Sequence, residues 1–160
     1  MPTYYPSPDT ISSEELQKLS GLELLQALVD GRLPAPAIGH TLEFNIVEVE
    51  RGRVVFAGIP NERFLNPLGT VHGGYAATLL DSCMGCAVHS TLEPGQGYTT
   101  VELKINYVRP ITPQTGLVRA EGRLIHPGRQ IATADGRLVD AQGKLLAHGT
   151  TTCIIFAARN

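Results

Sequence analysis

The chain has 160 residues, 42% of them hydrophobic and 18% charged, with a formal net charge of −2 and three cysteines. That length predicts one domain with its own core. The balance leaves no basic excess to neutralise a phosphate backbone, so nucleic acid is not an expected partner. No run of about 18 apolar residues predicts a membrane span. Met1–Thr10 lacks the positive charge and apolar stretch of a secretory signal. An odd cysteine count in a chain that needs no staple points to a reducing, cytoplasmic setting.

In chain order, residues 1–11 carry Pro2, Pro6 and Pro8 and read as an arm. Ser12-Ser13-Glu14-Glu15 and Ser20-Gly21-Leu22-Glu23 are capping boxes, predicting short helices near 13–19 and 21–30, with Gly31 as the stop. Residues 31–40 hold Pro34, Pro36 and Gly39 and read as a linker. Thr41–Glu50 and Arg53–Ile59 read as strands around a hairpin at Arg51-Gly52. Asn61–Thr70 is a loop. From Gly73 to His89 the spacing turns helical and nearly all-apolar, which predicts a buried helix. Strands then follow at Tyr98–Arg109, Gln114–His126, Arg129–Ala141 and Lys144–Phe156, and the reading joins these four by short hairpins. The first alternates through Val101, Leu103, Ile105 and Tyr107.

Two strands, one buried helix and four strands predict an α+β architecture. A six-stranded antiparallel sheet wraps around one long central helix, the hot-dog arrangement, with a short helical N-terminal extension. The expected division is an extension over 1–40 and the main domain over 41–160.

The informative stretch runs from Asn66 through His72-Gly73-Gly74 to Asp81. Two glycines at a helix start let a backbone or a ligand approach closely. The free N–H groups and the helix dipole there suit an oxyanion, such as a carbonyl becoming tetrahedral. A tight loop-to-helix packing site would need the same glycines. Asp81 sits amid Leu79, Leu80, Cys83 and Met84. A carboxylate on an apolar helix costs desolvation unless it has a partner or a chemical role, so it reads either as a base or as a group bonding a neighbouring strand or a subunit.

These residues resemble the PaaI-like acyl-CoA thioesterases of the hot-dog superfamily. The resemblance rests on Asn66, His72-Gly73-Gly74, Asp81, Tyr107-Val-Arg-Pro110 and Gly143-Lys144-Leu-Leu-Ala147, and spans roughly residues 40–156. It implies hydrolysis of an aromatic or medium-chain acyl-CoA without a metal or redox cofactor. It implies Asp81 as general base or nucleophile, and the Gly73 N–H, beside Gly74, as the group polarising the carbonyl. Asn66 would hold carbonyl or water, and Thr100 or Thr99 would position water. His72 would fix the loop, with proton transfer as its alternative role. The competing reading is a non-catalytic protein that binds or senses acyl-thioesters on the same fold.

Cys83-Met-Gly-Cys86 lies inside the helix rather than at its start, so it reads as core rather than as a redox pair. The scattered histidines show no metal spacing. Arg129, on the hairpin after His126, is a candidate for a CoA phosphate or a solvated turn residue. The exposed sheet edges predict a dimer or tetramer. Gly73 and Asp81 are eight residues apart, about 12 Å along a helix axis at a rise of roughly 1.5 Å per residue. Both groups must reach one carbonyl, so the expected active site is shared between two chains.

Overall fold

The structure is a computed structural model, and it describes residues 18–157. The expected arm over 1–11 and nearly all of the helix expected at 13–19 lie outside the described residues. Helix α1 (Gly21–Val29) starts at a capping box. Ser20 Oγ accepts from the Glu23 N–H at 3.3 Å, and the Glu23 carboxylate accepts from the Ser20 N–H at 2.8 Å. Its C-terminus closes with Gly31 N–H on Leu28 O (3.2 Å) and Arg32 N–H on Ala27 O (2.9 Å), a Schellman motif.

The expected linker is partly helical, which is a correction. Helix α2 (Ala37–Leu42) follows Pro36, and Thr41 Oγ1 donates to Ala37 O at 3.0 Å. Glu43, in the left-handed region at φ 53°, ends the helix, so β1 begins at Phe44 rather than Thr41. Strands β1 (Phe44–Glu50) and β2 (Arg53–Gly58) form the predicted hairpin. The long helix α3 (Gly73–His89) occupies the predicted span. It is followed by β3 (Gln96–Tyr107), β4 (Val118–His126), β5 (Ile131–Asp140) and β6 (Leu145–Ala157).

All six strands form one antiparallel sheet in the order β1-β2-β4-β5-β6-β3. The hairpin expected between β3 and β4 does not exist. The ten-residue connection 108–117 carries Pro110, Pro113 and Gly116 and cannot make a tight turn. It instead carries the chain from the far edge of the sheet to its middle, and β3 pairs with β6. A register shift between Thr100 and Glu102 interrupts the expected alternation and leaves Val101 56% exposed.

The core lies between α3 and the inner face of the sheet. Leu79, Leu80, Cys83, Met84 and Val88 of α3 are buried against Val54, Val118, Ala120, Ala134 and Leu138. The approach is close because β4 carries Gly122: a Cβ there would lie 2.3 Å from the Cys83 carbonyl oxygen. Its register partner on β5, Gly136, lies under Met84 in the same way. This glycine pair lets the sheet curve around the helix.

Candidate active site

The loop entering α3 is held by its own hydrogen bonds. His72 N–H donates to Phe64 O (2.7 Å), Asn66 N–H to Thr70 O (2.8 Å) and Val71 N–H to Ile111 O (2.8 Å). The Asn66 side chain is engaged in this turn. Its Oδ1 accepts from the N–H groups of Leu68 (2.9 Å) and Thr70 (3.3 Å), and its Nδ2 donates to Thr70 Oγ1 (2.8 Å). His72 caps the helix: Nδ1 accepts from the Gly74 N–H at 2.8 Å, while its carbonyl accepts from Tyr75 N–H at 2.9 Å. Among the described residues, the Gly73 N–H alone in this turn has no acceptor. Tyr107 lies over Gly73 and donates its hydroxyl to the Gly73 carbonyl at 3.2 Å. Gly73 lines a cavity of 320 Å³ with Thr70, Val71, Tyr107 and Arg109.

Asp81 lies two turns further along α3 and lines a different cavity, of 360 Å³. Half-buried, its Oδ1 accepts from Thr100 Oγ1 at 2.9 Å. Of the two candidate threonines, Thr100 thus meets Asp81, whereas Thr99 is exposed on the other face of β3. Apolar groups make up most of the surrounding wall: Leu25, Leu28 and Val29 of α1, Ile38 of α2, and Phe44, Ile46 and Phe56 of β1 and β2. Cys86 and Tyr98 also line it, with the polar Asn45 and Ser82. Burial pushes the Cys86 thiol up to about 12 and raises the Tyr98 phenol well above its ordinary value. All three cysteines are free, so Cys83-x-x-Cys86 is part of the packing around α3.

The structure therefore brings Asn66, His72, Gly73 and Gly74 together at the start of α3, and Asp81 with Thr100 at its middle. It does not bring the two groups into one cavity of this chain. Arg129, on the β4–β5 hairpin, lines depressions containing neither Gly73 nor Asp81. Sequence reasoning missed Tyr98 and Arg109 as neighbours of the site. Tyr98 shares a strand face with Thr100, two residues away, a signal readable from the period of a strand. Arg109 stands beside the Gly73 cavity and donates to Leu145 O at 2.6 Å. Among the described residues, no group of three or more His, Cys, Asp or Glu is placed to hold a metal. No helix of the described chain is long and apolar enough to cross a membrane.

Residues 68–147 match the sequence model of the thioesterase superfamily. Gly73, Asp81 and Thr100 fall inside the match, while Asn66, α1 and α2 fall outside it. The 1,4-dihydroxy-2-naphthoyl-CoA hydrolase of Listeria monocytogenes is 27% identical over 116 residues, 72% of this chain and 93% of that protein. A phenylacetic acid degradation-related protein of Ralstonia eutropha JMP134 superposes with a TM-score of 0.74 at 33% identity, covering 81% of this chain and 98% of that one. A Streptococcus mutans UA159 protein solved bound to acetyl-CoA gives 0.65 at 29% identity over 73% and 91%. With a sheet wrapped around one helix, a match over half its length and these relatives, the chain belongs to the thioesterase superfamily and is a thioester hydrolase.

Proposed function

We propose that this protein hydrolyses an aromatic or medium-chain acyl-CoA at a site built from two chains. The observation that carries this reading is the Asp81 carboxylate, oriented by Thr100 inside a largely apolar cavity. The acyl group lies along the apolar wall, with its carbonyl carbon near Asp81. Gly73 of a second chain donates its N–H to the carbonyl oxygen, where negative charge grows as the carbon becomes tetrahedral. Asp81 takes a proton from the attacking water, or attacks the carbonyl itself to give a mixed anhydride that water then opens. In both routes the C–S bond breaks and the sulfur leaves as CoA thiol, with one water consumed per acid released. Asn66 and His72 act by fixing the loop that presents Gly73, and Thr100 by holding one Asp81 oxygen.

Distance supports a second chain in this reading. Gly73 and Asp81 are separated by about 12 Å along α3 and open into different cavities. Antiparallel α3 helices across a two-fold axis would set Asp81 of one chain against Gly73 of the other. The sheet has a surface for such pairing: β3 is an edge strand of 12 residues, with Val101 56% and Tyr107 55% exposed.

The test is CoA release, followed with a thiol reagent over a panel of aryl and alkyl acyl-CoAs. Burial raises the protein's own three thiols, so they contribute little thiolate background. Turnover that falls about 10²-fold or more in Asp81→Asn supports the assignment. Acyl-CoA binding without turnover in the wild-type protein overturns it in favour of a sensor.

A further inference from the structure

Helix α1 lies outside the superfamily match, yet it is built into the body of the protein. Its first residue sits against the C-terminus of α3. Gly21 N–H donates to Leu92 O at 3.0 Å, and a Cβ at Gly21 would overlap the His89 carbonyl oxygen. From that anchor α1 reaches the Asp81 cavity, where Leu28 and Val29 line the same space as Asp81 and Cys86. The chain then turns through Pro36 into α2, and Ile38, 48% exposed, stands at the same cavity. An exposed isoleucine beside a carboxylate-bearing apolar space is placed to meet an apolar ligand rather than to fill a core.

We propose that α1 and α2 form the distal wall of the acyl cavity, with Leu28 and Ile38 as the residues that set the length and bulk of the acyl group accepted. This rests on the thioesterase reading above and adds to it a determinant of specificity. The carboxylate fixes where the carbonyl must lie, so the distance from Asp81 to the α1–α2 wall limits the acyl tail. The wall is apolar at Leu25, Leu28, Val29 and Ile38, so it selects by size and shape rather than by charge. Because the Gly21 contact fixes α1 to α3, an oversized acyl group meets a rigid wall.

The experiment measures kcat/KM for straight-chain acyl-CoAs from butanoyl to dodecanoyl, and for phenylacetyl-CoA, in the wild-type protein, Leu28→Trp, Leu28→Ala and Ile38→Trp. Ratios between substrates within one preparation are independent of the fraction folded, and Ile38→Trp lies at a partly exposed position that tolerates bulk. Both tryptophan variants are expected to lose activity increasingly with acyl length, by about 10-fold or more between the ends of the panel. Leu28→Ala is expected to move the optimum towards longer chains. An active wild-type protein whose variants scale every substrate equally overturns the wall assignment and leaves the thioesterase reading standing. A wild-type protein inert on the whole panel overturns both.

Discussion

Mixing chains that carry Asp81→Asn with chains that carry Asn66→Ala is expected to restore activity that neither variant has alone. In an Asp81→Asn homodimer both sites lack the carboxylate, at a cost of about 10²-fold or more in kcat. In an Asn66→Ala homodimer both sites lose the side chain that makes three hydrogen bonds in the Gly73 loop. That lowers turnover by about 10- to 10³-fold if Gly73 is displaced from the carbonyl. A hybrid pairs the intact Asp81 of one chain with the intact Asn66–Gly73 loop of the other, so one site is whole and its counterpart is damaged twice. Random reassembly after partial unfolding makes about half the dimers hybrid, with one good site in two, so roughly a quarter of wild-type activity returns. CoA release measures the activity and native mass spectrometry counts the hybrids. Hybrids formed in the expected proportion without recovered activity would show that one chain holds the whole site.

Thr100→Val removes the hydroxyl that donates to Asp81. A hydrogen bond to a charged group contributes about 1.5–3 kcal/mol, so kcat should fall by about 10- to 100-fold with KM nearly unchanged; unaltered kcat would leave Thr100 a packing residue. Gly122→Ala puts a methyl group against the Cys83 carbonyl. Overpacking of this kind costs about 1–3 kcal/mol, so Tm should fall by roughly 3–12 °C, read by calorimetry. Burial holds the His89 imidazole below its ordinary value, so the unfolded chain binds the proton more readily than the folded one. The stability this contributes is present above the ordinary histidine value of about 6.5 and is lost as pH falls towards the folded value. Tm should therefore drop between about pH 7.5 and 5.5, and the drop should be smaller in His89→Gln.

The long helix was legible because Gly73-Gly74 marks its start and its apolar period runs unbroken to His89. The separation of Gly73 from Asp81 followed from helical rise alone. Helix α2 was not legible: six residues after Pro34 and Pro36 are too few to show a period, and prolines read as linker. The β3–β6 pairing was hidden for a different reason. Alternation tells which face of a strand is buried and says nothing about its neighbours, and the partners Thr100 and Cys153 are 53 residues apart. The choice between Thr99 and Thr100 turns on a one-residue register that the sequence leaves open. The apolar lining of the Asp81 cavity was illegible because it gathers side chains from two helices and two strands that no local pattern connects.

The position of β6 in the sheet has a consequence for how the protein is made. Among the described residues β3 has one strand neighbour, β6, and β6 is the last strand described. When Thr100 is added to the growing chain, its register partner Cys153 is still 53 residues from being added. At about 5–20 residues per second, that is a wait of roughly 3–10 s. During it, α3 can collapse with β1 and β2 as it emerges, but the strand that holds Thr100 beside Asp81 has no strand neighbour to pair with. The Asp81 carboxylate thus gains this support only after β6 has been made, and a chain halted after β5 carries Asp81 without the strand pairing that holds Thr100 beside it.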